Sequence, residues 1–133
     1  MATQAIPDGY HTVTPYLIVQ DASGLIDYLG KAFGATERMR MPNGEGAIMH
    51  AEVQLGDSVI MLAEASEAYQ AKPAMIHLYV PDVDAMYKRA LEAGSESMRE
   101  PAEQSYGDRS GGVKDRWGNE WWLATHVKDV ALA

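Results

Sequence analysis

The 133-residue chain contains no cysteine, and this absence excludes several classes of structure and chemistry. Disulfide bridges, zinc–thiolate sites, iron–sulfur clusters and a cysteine nucleophile all require a thiol. A chain without cysteine suits a reducing compartment, and we expect a cytoplasmic protein. Hydrophobic residues make up 47% of the sequence, which is enough for a core and argues against intrinsic disorder.

Positive charge and long apolar runs are also scarce. Lysine and arginine total 11 against 19 aspartate and glutamate residues, which gives a formal charge of −8. Such a field repels a phosphate backbone, so we expect no nucleic-acid partner. Residues 1–9 lack the basic and apolar regions of a signal peptide, and we expect none. No apolar run approaches the roughly 20 residues that span a bilayer, so we expect no membrane partner.

Two segments of the chain repeat the same order of features, with Leu78 following Leu17 by 61 positions. Each reads as a strand, an aspartate N-cap (Asp21 or Asp82), a helix of about three turns and a terminating glycine (Gly34 or Gly94). Three strand candidates follow each helix. They lie at 37–41, 47–55 and 58–64 and at 97–99, 109–114 and 120–126. The pattern predicts an α+β fold of two βαβββ modules.

The two modules are expected to form a single domain that spans residues 1–133, because a module this small rarely buries its sheet alone. Module one covers about 10–64 and module two about 74–128, and the polar, alanine-rich stretch 65–73 is the linker. We expect the modules to pack side by side into one curved mixed sheet with the helices on its convex side.

Alternation of side chains along the strands assigns one face to the core and the other to a hollow. The core side includes Val13, Leu17, Val19, Met49, Ala51, Val53, Ile76, Leu78 and Val80. The opposite face carries Thr14, Tyr16, His50, Glu52, Met75, His77, Tyr79 and Trp122, which we expect to share one hollow. Aromatic and polar groups on a concave surface are typical of a small-molecule site. A solvated sheet face shows the same alternation, but Tyr16, Tyr79 and Trp122 are large side chains to leave in water.

Five stretches of the sequence are distinctive, namely GYHTVTPYL at 9–17, MHAE at 49–52, GDSV at 56–59, YGDRSGG at 106–112 and WWLATH at 121–126. Together they resemble the PhnB-like branch of the vicinal oxygen chelate superfamily, which includes glyoxalase, bleomycin-resistance proteins and extradiol dioxygenases. The resemblance extends from Gly9 to about Asp129. It implies the fold of that superfamily, a site for a small organic ligand and a homodimer.

Metal enzymes of that superfamily place their ligands on the first and last strands of each module. The resemblance puts these positions on Thr14, Met75, Trp122 and Met61. Threonine, methionine and tryptophan are poor ligands for a divalent cation, which prefers imidazole or carboxylate. The resemblance therefore implies a binding cavity without the usual metal, as in the antibiotic-sequestering members, and we expect no cofactor.

His50 and Glu52 are candidate catalytic residues, because residues two apart on a strand are neighbours on one face. With His77 they offer a relocated divalent-metal site, or they form an acid–base pair. The interpretation that we favour is that they hydrogen-bond each other or a ligand. Arg109 is a candidate partner for an anionic ligand group, or else a solvated surface residue.

Three hypotheses about function follow from these patterns. The first is a binding protein for a small aromatic or cationic compound, which stacks on Tyr16, Tyr79 and Trp122. The second is a metal-dependent lyase, isomerase or dioxygenase with its site at His50, Glu52 and His77. The third is a structural dimerisation module, which would have no cavity.

Overall fold

The chain folds into two βαβββ modules, as predicted. The structure, a computed structural model, describes residues 3–131. Within that range, the elements in chain order are β1 (Tyr16–Val19), α1 (Ala22–Phe33), β2 (Thr36–Pro42), β3 (Ile48–Leu55), β4 (Ser58–Glu64), β5 (Met75–Tyr79), α2 (Val83–Glu92), β6 (Glu96–Glu103), β7 (Asp108–Lys114) and β8 (Glu120–His126). None of the helices in this range is long and apolar enough to cross a membrane.

Each module has its own mixed sheet of four strands. The strand orders, β1-β4-β3-β2 and β5-β8-β7-β6, are equivalent. In both sheets the first strand pairs in parallel with the last, and the remaining pairs are antiparallel. The prediction of one curved sheet with helices on its convex side stays a prediction.

The chain divides into two compact units, which are described separately. The first unit ends at Lys72 and the second begins at Pro73, while the last helical turn of α1, Lys31–Phe33, groups with the second unit. Among the fully buried side chains of the first unit are Leu17, Leu25, Leu29, Val53 and Leu62. In the second unit Trp121 is fully buried, and its ring centroid lies 5.1 Å from that of Phe33.

The pairing of the first strand with the last preserves the 61-residue offset of the sequence repeat in both sheets. Tyr16 lies opposite Met61 in the first sheet, and His77 lies opposite Trp122 in the second. Directly paired residues share a face of a sheet, so a row of side chains crosses each sheet at equivalent positions. The rows are Tyr16, Met61, Glu52 and Met39 in the first module and His77, Trp122, Gly112 and Arg99 in the second.

The predicted aspartate caps begin both helices. A carboxylate oxygen of Asp21 accepts a hydrogen bond from the backbone N–H of Gly24 at 3.1 Å, and Asp82 accepts one from Ala85 at the same distance. These bonds satisfy backbone donors that a helix start leaves unpaired. Gly34 ends α1 with a φ of 72°, in the left-handed region that glycine tolerates best.

The prediction that Val13 faces the core is wrong, since its side chain is 80% exposed. Strand β1 begins only at Tyr16. Pro15, which precedes it, has no backbone N–H and cannot donate to a strand ladder. The alternation of strand one therefore does not extend back to Val13.

The prediction that Met49 lies on the apolar face of β3 is also wrong. Met49 is 55% exposed, whereas Ile48 is buried. The pairing of β2 with β3 shifts register between Met41, opposite His50, and Pro42, opposite Ile48. An extra residue at such a bulge reverses the faces on one side of it.

On β5, Val80 is buried just beyond the strand, but Ile76 and Leu78 are only half-buried. The core prediction is therefore wrong for these two residues. Strand β5 lies at the edge of its sheet and pairs with β8 alone. Strand β1 has the same edge position in the first sheet, yet Leu17 and Val19 are buried there.

A buried carboxylate fixes the turn between β7 and β8. Asp115 is 4% exposed and accepts hydrogen bonds from the backbone N–H groups of Trp117 and Asn119, at 3.0 and 2.9 Å. It also accepts from Nδ2 of Asn119 at 3.0 Å and from Nε1 of Trp121 at 2.9 Å. Oδ1 of Asn119 accepts from the N–H of Ala74 at 2.9 Å, just before β5. The network holds β8 in place beside β5.

We expect Gly112→Ala to destabilise the protein. A Cβ at this position would lie 2.5 Å from Cζ3 of Trp122, which is closer than two carbon atoms can approach. Overpacking of this kind costs about 1–3 kcal/mol. Urea unfolding, followed by circular dichroism, measures the loss in the free energy of unfolding.

The control for this substitution is Gly30→Ala in α1. There the nearest atom to a new Cβ is the carbonyl oxygen of Ala35 at 3.5 Å, an ordinary contact. Alanine in place of a helical glycine is neutral or stabilises by up to about 1 kcal/mol. Equal urea midpoints for the Gly112→Ala protein and the unsubstituted protein would contradict the prediction.

Candidate functional site

Four side chains form a continuous hydrogen-bonded chain in the first module. The hydroxyl of Tyr10 donates to Oε1 of Glu52. Oε2 of Glu52 lies 2.9 Å from Nε2 of His50, and Nδ1 of His50 lies 2.8 Å from the hydroxyl of Tyr16. Glu52 is 7% exposed. The contact that we predicted between His50 and Glu52 is therefore present, and Tyr10 and Tyr16 extend it at both ends.

The chemistry of each side chain in the hydrogen-bonded chain determines which atom donates and which accepts. An ionised Glu52 can only accept, so the facing Nε2 of His50 carries a hydrogen. In a neutral imidazole Nδ1 is then an acceptor, and the hydroxyl of Tyr16 donates to it. All donors thus point toward the carboxylate, and each phenol is held in one orientation.

The pKa shifts agree with this arrangement. Burial raises the pKa of Glu52, but the hydrogen bonds from Tyr10 and His50 outweigh it and hold the pKa below its ordinary value of 4.5. Burial, followed by the charge of Glu52, raises the pKa of the Tyr16 phenol. The hydrogen bond to Glu52 is the main cause of a raised pKa for Tyr10. At neutral pH the carboxylate is ionised and both phenols keep their protons.

Arg38 of strand β2 contacts Tyr10, the first member of the hydrogen-bonded chain. The guanidinium carbon of Arg38 lies 4.9 Å from the ring centroid of Tyr10, and Nη1 donates to Oε1 of Gln54 at 3.1 Å. Gly9 adopts a φ of 87°, and a Cβ there would lie 3.2 Å from Nη1 of Arg38. Sequence reasoning missed Tyr10, because it lies outside any strand and no periodic pattern includes it.

A cavity of about 700 Å³ adjoins this chain and shares Tyr16 with it. Its lining residues are Tyr16, Ile18, Asn43, Ile48, Met49, Ala63, Glu64, Ala65, Ser66 and Tyr69. The carboxylate of Glu64 accepts from the backbone N–H groups of Asp21 at 2.7 Å and Ala22 at 3.0 Å, at the start of α1. Tyr69 lies in the predicted linker, and sequence reasoning did not single it out.

The second module contains a cavity of about 410 Å³. Its lining residues are Met75, His77, Arg99, Tyr106, Ser110 and Trp122. Three predicted site residues, Met75, His77 and Trp122, are thus brought together. Arg99 was missed, because its place in the row depends on the pairing of β6 with β7, which the sequence does not reveal.

Tyr79 belongs to another network at the side of this cavity. Its hydroxyl donates to Oδ2 of Asp108 at 3.1 Å, and its ring lies 4.9 Å from that of His77. Nδ1 of His126 lies 2.8 Å from Oδ1 of Asp108, and Nε2 lies 2.7 Å from Oδ1 of Asp129. The two carboxylates, Asp129 first, raise the pKa of His126, and the hydrogen bond from His126 lowers the pKa of Asp108.

Five predicted site residues are absent from the linings of both cavities. His50, Glu52 and Tyr79 belong to the two networks described above, whereas Arg109 and Thr14 lie outside them as well. Arg109 makes a bidentate ion pair with Asp84 of α2, at 2.8 and 2.9 Å. Thr14 is half-buried ahead of β1. Their roles in ligand binding stay predictions, as does the prediction that all the chosen residues share one hollow.

The residues at the ligand positions that the resemblance implies do not fit a divalent metal. Thr14, Met61, Met75 and Trp122 offer no imidazole or carboxylate. In the part of the chain that the structure describes, no group of three or more histidine, cysteine, aspartate or glutamate residues could hold a metal ion. Both ring nitrogens of His50 already have hydrogen-bond partners, so a metal there would have to displace one of them.

Comparison with known proteins agrees with the fold and, at the level of the superfamily, with the resemblance. Residues 10–123 match the Glyoxalase/Bleomycin resistance protein/Dioxygenase superfamily. The chain belongs to this superfamily. It is 35% identical over 131 residues to an uncharacterised protein of Mycobacterium bovis, covering 90% of this chain and 86% of that protein. An uncharacterised Mycobacterium tuberculosis protein shows the same identity, with 77% of its length covered.

Solved structures in the comparison share the fold of this superfamily member. TioX from Micromonospora sp. ML1 is 24% identical with a TM-score of 0.76, covering 88% of this chain and 99% of TioX. Protein PA1353 from Pseudomonas aeruginosa is 22% identical with a TM-score of 0.72, covering 89% of this chain and 99% of that protein. At these identities the likeness shows the fold alone.

We expect Glu52→Gln to lower the free energy of unfolding by about 1–3 kcal/mol near pH 7, because the amide loses charge-assisted hydrogen bonds. The folded pKa of Glu52 lies below 4.5, so the carboxylate's contribution is present above about pH 4.5 and is lost as the pH falls below it. The stability difference between the two proteins should therefore shrink in urea titrations at about pH 3.

The control is Glu45→Gln, which changes an exposed glutamate of the β2–β3 turn. It should leave the urea midpoint almost unchanged at both pH values. A difference between Glu52→Gln and the unsubstituted protein that stays constant down to about pH 3 would show that Glu52 is not the titrating group.

Proposed function

We propose that this superfamily member is a small-molecule-binding protein of the PhnB-like branch that holds an aromatic or cationic organic compound. The observation that carries the proposal is the cavity of about 700 Å³ in the first module, with Tyr16 and Tyr69 in its wall. This volume lies within the range of about 300–1,000 Å³ that is usual for ligand pockets.

The lining of this cavity favours a cation with an apolar body. Ile18, Ile48 and Met49 supply apolar surface, and none of the ten lining residues is lysine or arginine. A positive group gains attraction from the faces of the two tyrosines. The net charge of −8 also attracts cationic ligands.

The hydrogen-bonded chain prepares Tyr16 for binding. Its hydroxyl is tied to His50, and His50 is tied to the buried Glu52. A ring that is already fixed loses little conformational freedom when a ligand stacks on it. His50 and Glu52 therefore support binding through Tyr16.

The proposal extends to how the two modules combine and how the protein assembles. We propose one cytoplasmic domain whose two sheets continue into a single curved surface, with the helices on the convex side, and that two chains pair as a homodimer. Size-exclusion chromatography with light scattering measures the mass in solution, and a monomer at micromolar concentration would contradict the dimer.

A second candidate function, metal-free acid–base catalysis, is favoured by the order Tyr16–His50–Glu52. His50 would accept the hydroxyl proton of Tyr16 at Nδ1, and Glu52 would stabilise the resulting imidazolium. The metal-dependent alternative with His50, Glu52 and His77 lacks a matching donor group in the described range.

For the binding function, we expect 2-naphthylmethylammonium to bind more tightly than neutral 2-naphthalenemethanol in isothermal titration calorimetry. Tyr69→Ala should weaken the binding of the ammonium compound by roughly 3- to 30-fold, the size of one cation–π contact. The matched control is Tyr106→Ala, which removes a tyrosine from the other cavity and should leave this affinity unchanged. Equal affinity for the charged and the neutral compound would overturn the cationic preference.

Incubation of the bound compounds with the protein, followed by mass spectrometry, separates binding from catalysis. The binding function predicts an unchanged compound and less than stoichiometric metal in protein purified without chelator. A product that disappears in His50→Gln would instead establish the acid–base function. Stoichiometric metal that is lost in His50→Ala would establish the metal enzyme.

A further inference from the structure

Arg99 is a cation in the wall of the second cavity, and it has no acidic partner among the described residues. Nη2 donates to Oγ of Ser110 at 2.6 Å, and the guanidinium carbon lies 5.1 Å from the ring centroid of Trp122. Within residues 3–131 no carboxylate lies at ion-pair distance from Arg99. By contrast, Arg40 pairs with Glu37 at 2.7 Å, and Arg109 pairs with Asp84 at 2.8 Å.

We propose that the cavity of the second module binds an organic carboxylate with an aromatic body, and that Arg99 is its anion-binding residue. This inference goes beyond the function proposed above, because it concerns another cavity and the opposite ligand charge. It stands or falls independently of the cation site in the first module.

The charges around the cavity favour an anion. None of its six lining residues is aspartate or glutamate, and Arg99 is the one lysine or arginine among them. Two carboxylates on the neighbouring strands already accept hydrogen bonds from other side chains. Asp108 accepts from Tyr79 and His126, and Glu120 accepts from Nε1 of Trp122 at 3.2 Å. A ligand carboxylate would therefore supply the neutralising charge that the chain itself does not supply.

The polar groups suit a carboxylate in geometry as well as in charge. A guanidinium has five N–H donors in a rigid fork, and the bond to Ser110 uses only one of them. The remaining donors allow bidentate binding. Ser110 is 2% exposed, and its hydroxyl hydrogen remains available while Oγ accepts from Arg99. His77 adds an imidazole to the same wall.

The rest of the wall suits an aromatic body. Met75 is 68% exposed and Tyr106 is 49% exposed, and Trp122 beside them is half-buried. Covering the apolar surface of such side chains favours binding by about 25 cal/mol for each Å² that the ligand removes from water. A volume of about 410 Å³ accommodates a compound of one or two rings.

The row comparison between the modules gives independent support. Glu52 occupies the place in the first sheet that Gly112 occupies in the second, and Arg99 occupies the place of Met39. The first row therefore carries a negative charge and the second a positive one. The two rows thus differ in the sign of their one charged side chain, although the charges lie at different positions, and this difference predicts opposite ligand preferences.

The test is calorimetric titration of the full chain with 2-naphthoate, with 2-naphthylmethylammonium as the matched compound of opposite charge. We expect Arg99→Gln to lower the affinity for 2-naphthoate at least tenfold, which is the usual effect of losing a hydrogen bond to a charged group. The affinity for the ammonium compound should not change. Arg40→Gln is the control, and its 2-naphthoate affinity should match that of the unsubstituted protein because Glu37 already neutralises Arg40.

Two further variants keep the test decisive if Arg99→Gln lowers the melting temperature. Arg99→Lys keeps the positive charge but lacks the planar guanidinium, and it should give an intermediate affinity for 2-naphthoate. Ser110→Ala should lower the affinity for 2-naphthoate by several-fold. Unchanged 2-naphthoate affinity in all three variants would overturn the inference, as would no measurable binding by the unsubstituted protein. Loss of 2-naphthoate binding in Tyr69→Ala would move the anion to the first cavity and overturn it as well.

Discussion

The buried carboxylate of Glu52 is the constraint on which the candidate site of the first module depends. A charge that is removed from water is tolerated only when donors replace the lost hydration. Tyr10 and His50 supply those donors, and His50 in turn fixes the hydroxyl of Tyr16 at the cavity wall. One glutamate on β3 thereby determines the orientation of an aromatic ring on β1, 36 positions earlier in the chain.

The second module keeps the register of the first but not its chemistry. At the position of Glu52 it has Gly112, and the missing side chain makes room for the Trp122 ring. Arg99 then lies near that ring, where the first module has Met39. Membership of the superfamily accounts for the shared fold, whereas the side chains of the two rows determine what each cavity can bind.

Much of the fold follows from local patterns in the sequence. Asp21 and Asp82 cap the helices where the pattern predicts, and two strands, β4 and β8, have the predicted bounds. Caps and periodicity depend on residues within a few positions of one another, so a single sequence contains them. Met49 shows the limit, because a bulge arises from pairing with a neighbouring strand and reverses an alternation that looks regular in the sequence.

The candidate sites likewise combine features that the sequence predicts with features that only the structure reveals. The sequence by itself determined that His50 and Glu52 are neighbours on one face of a strand, since this follows from the strand period. That Trp122 takes the position of a metal ligand is what the resemblance to the superfamily implies. Only the tertiary structure showed that Tyr10 reaches Glu52 and that Arg99 lies near Trp122, with no acidic partner in the part of the chain that the structure describes. These contacts depend on strand register and on the path of irregular segments, which are determined by long-range packing rather than by local sequence.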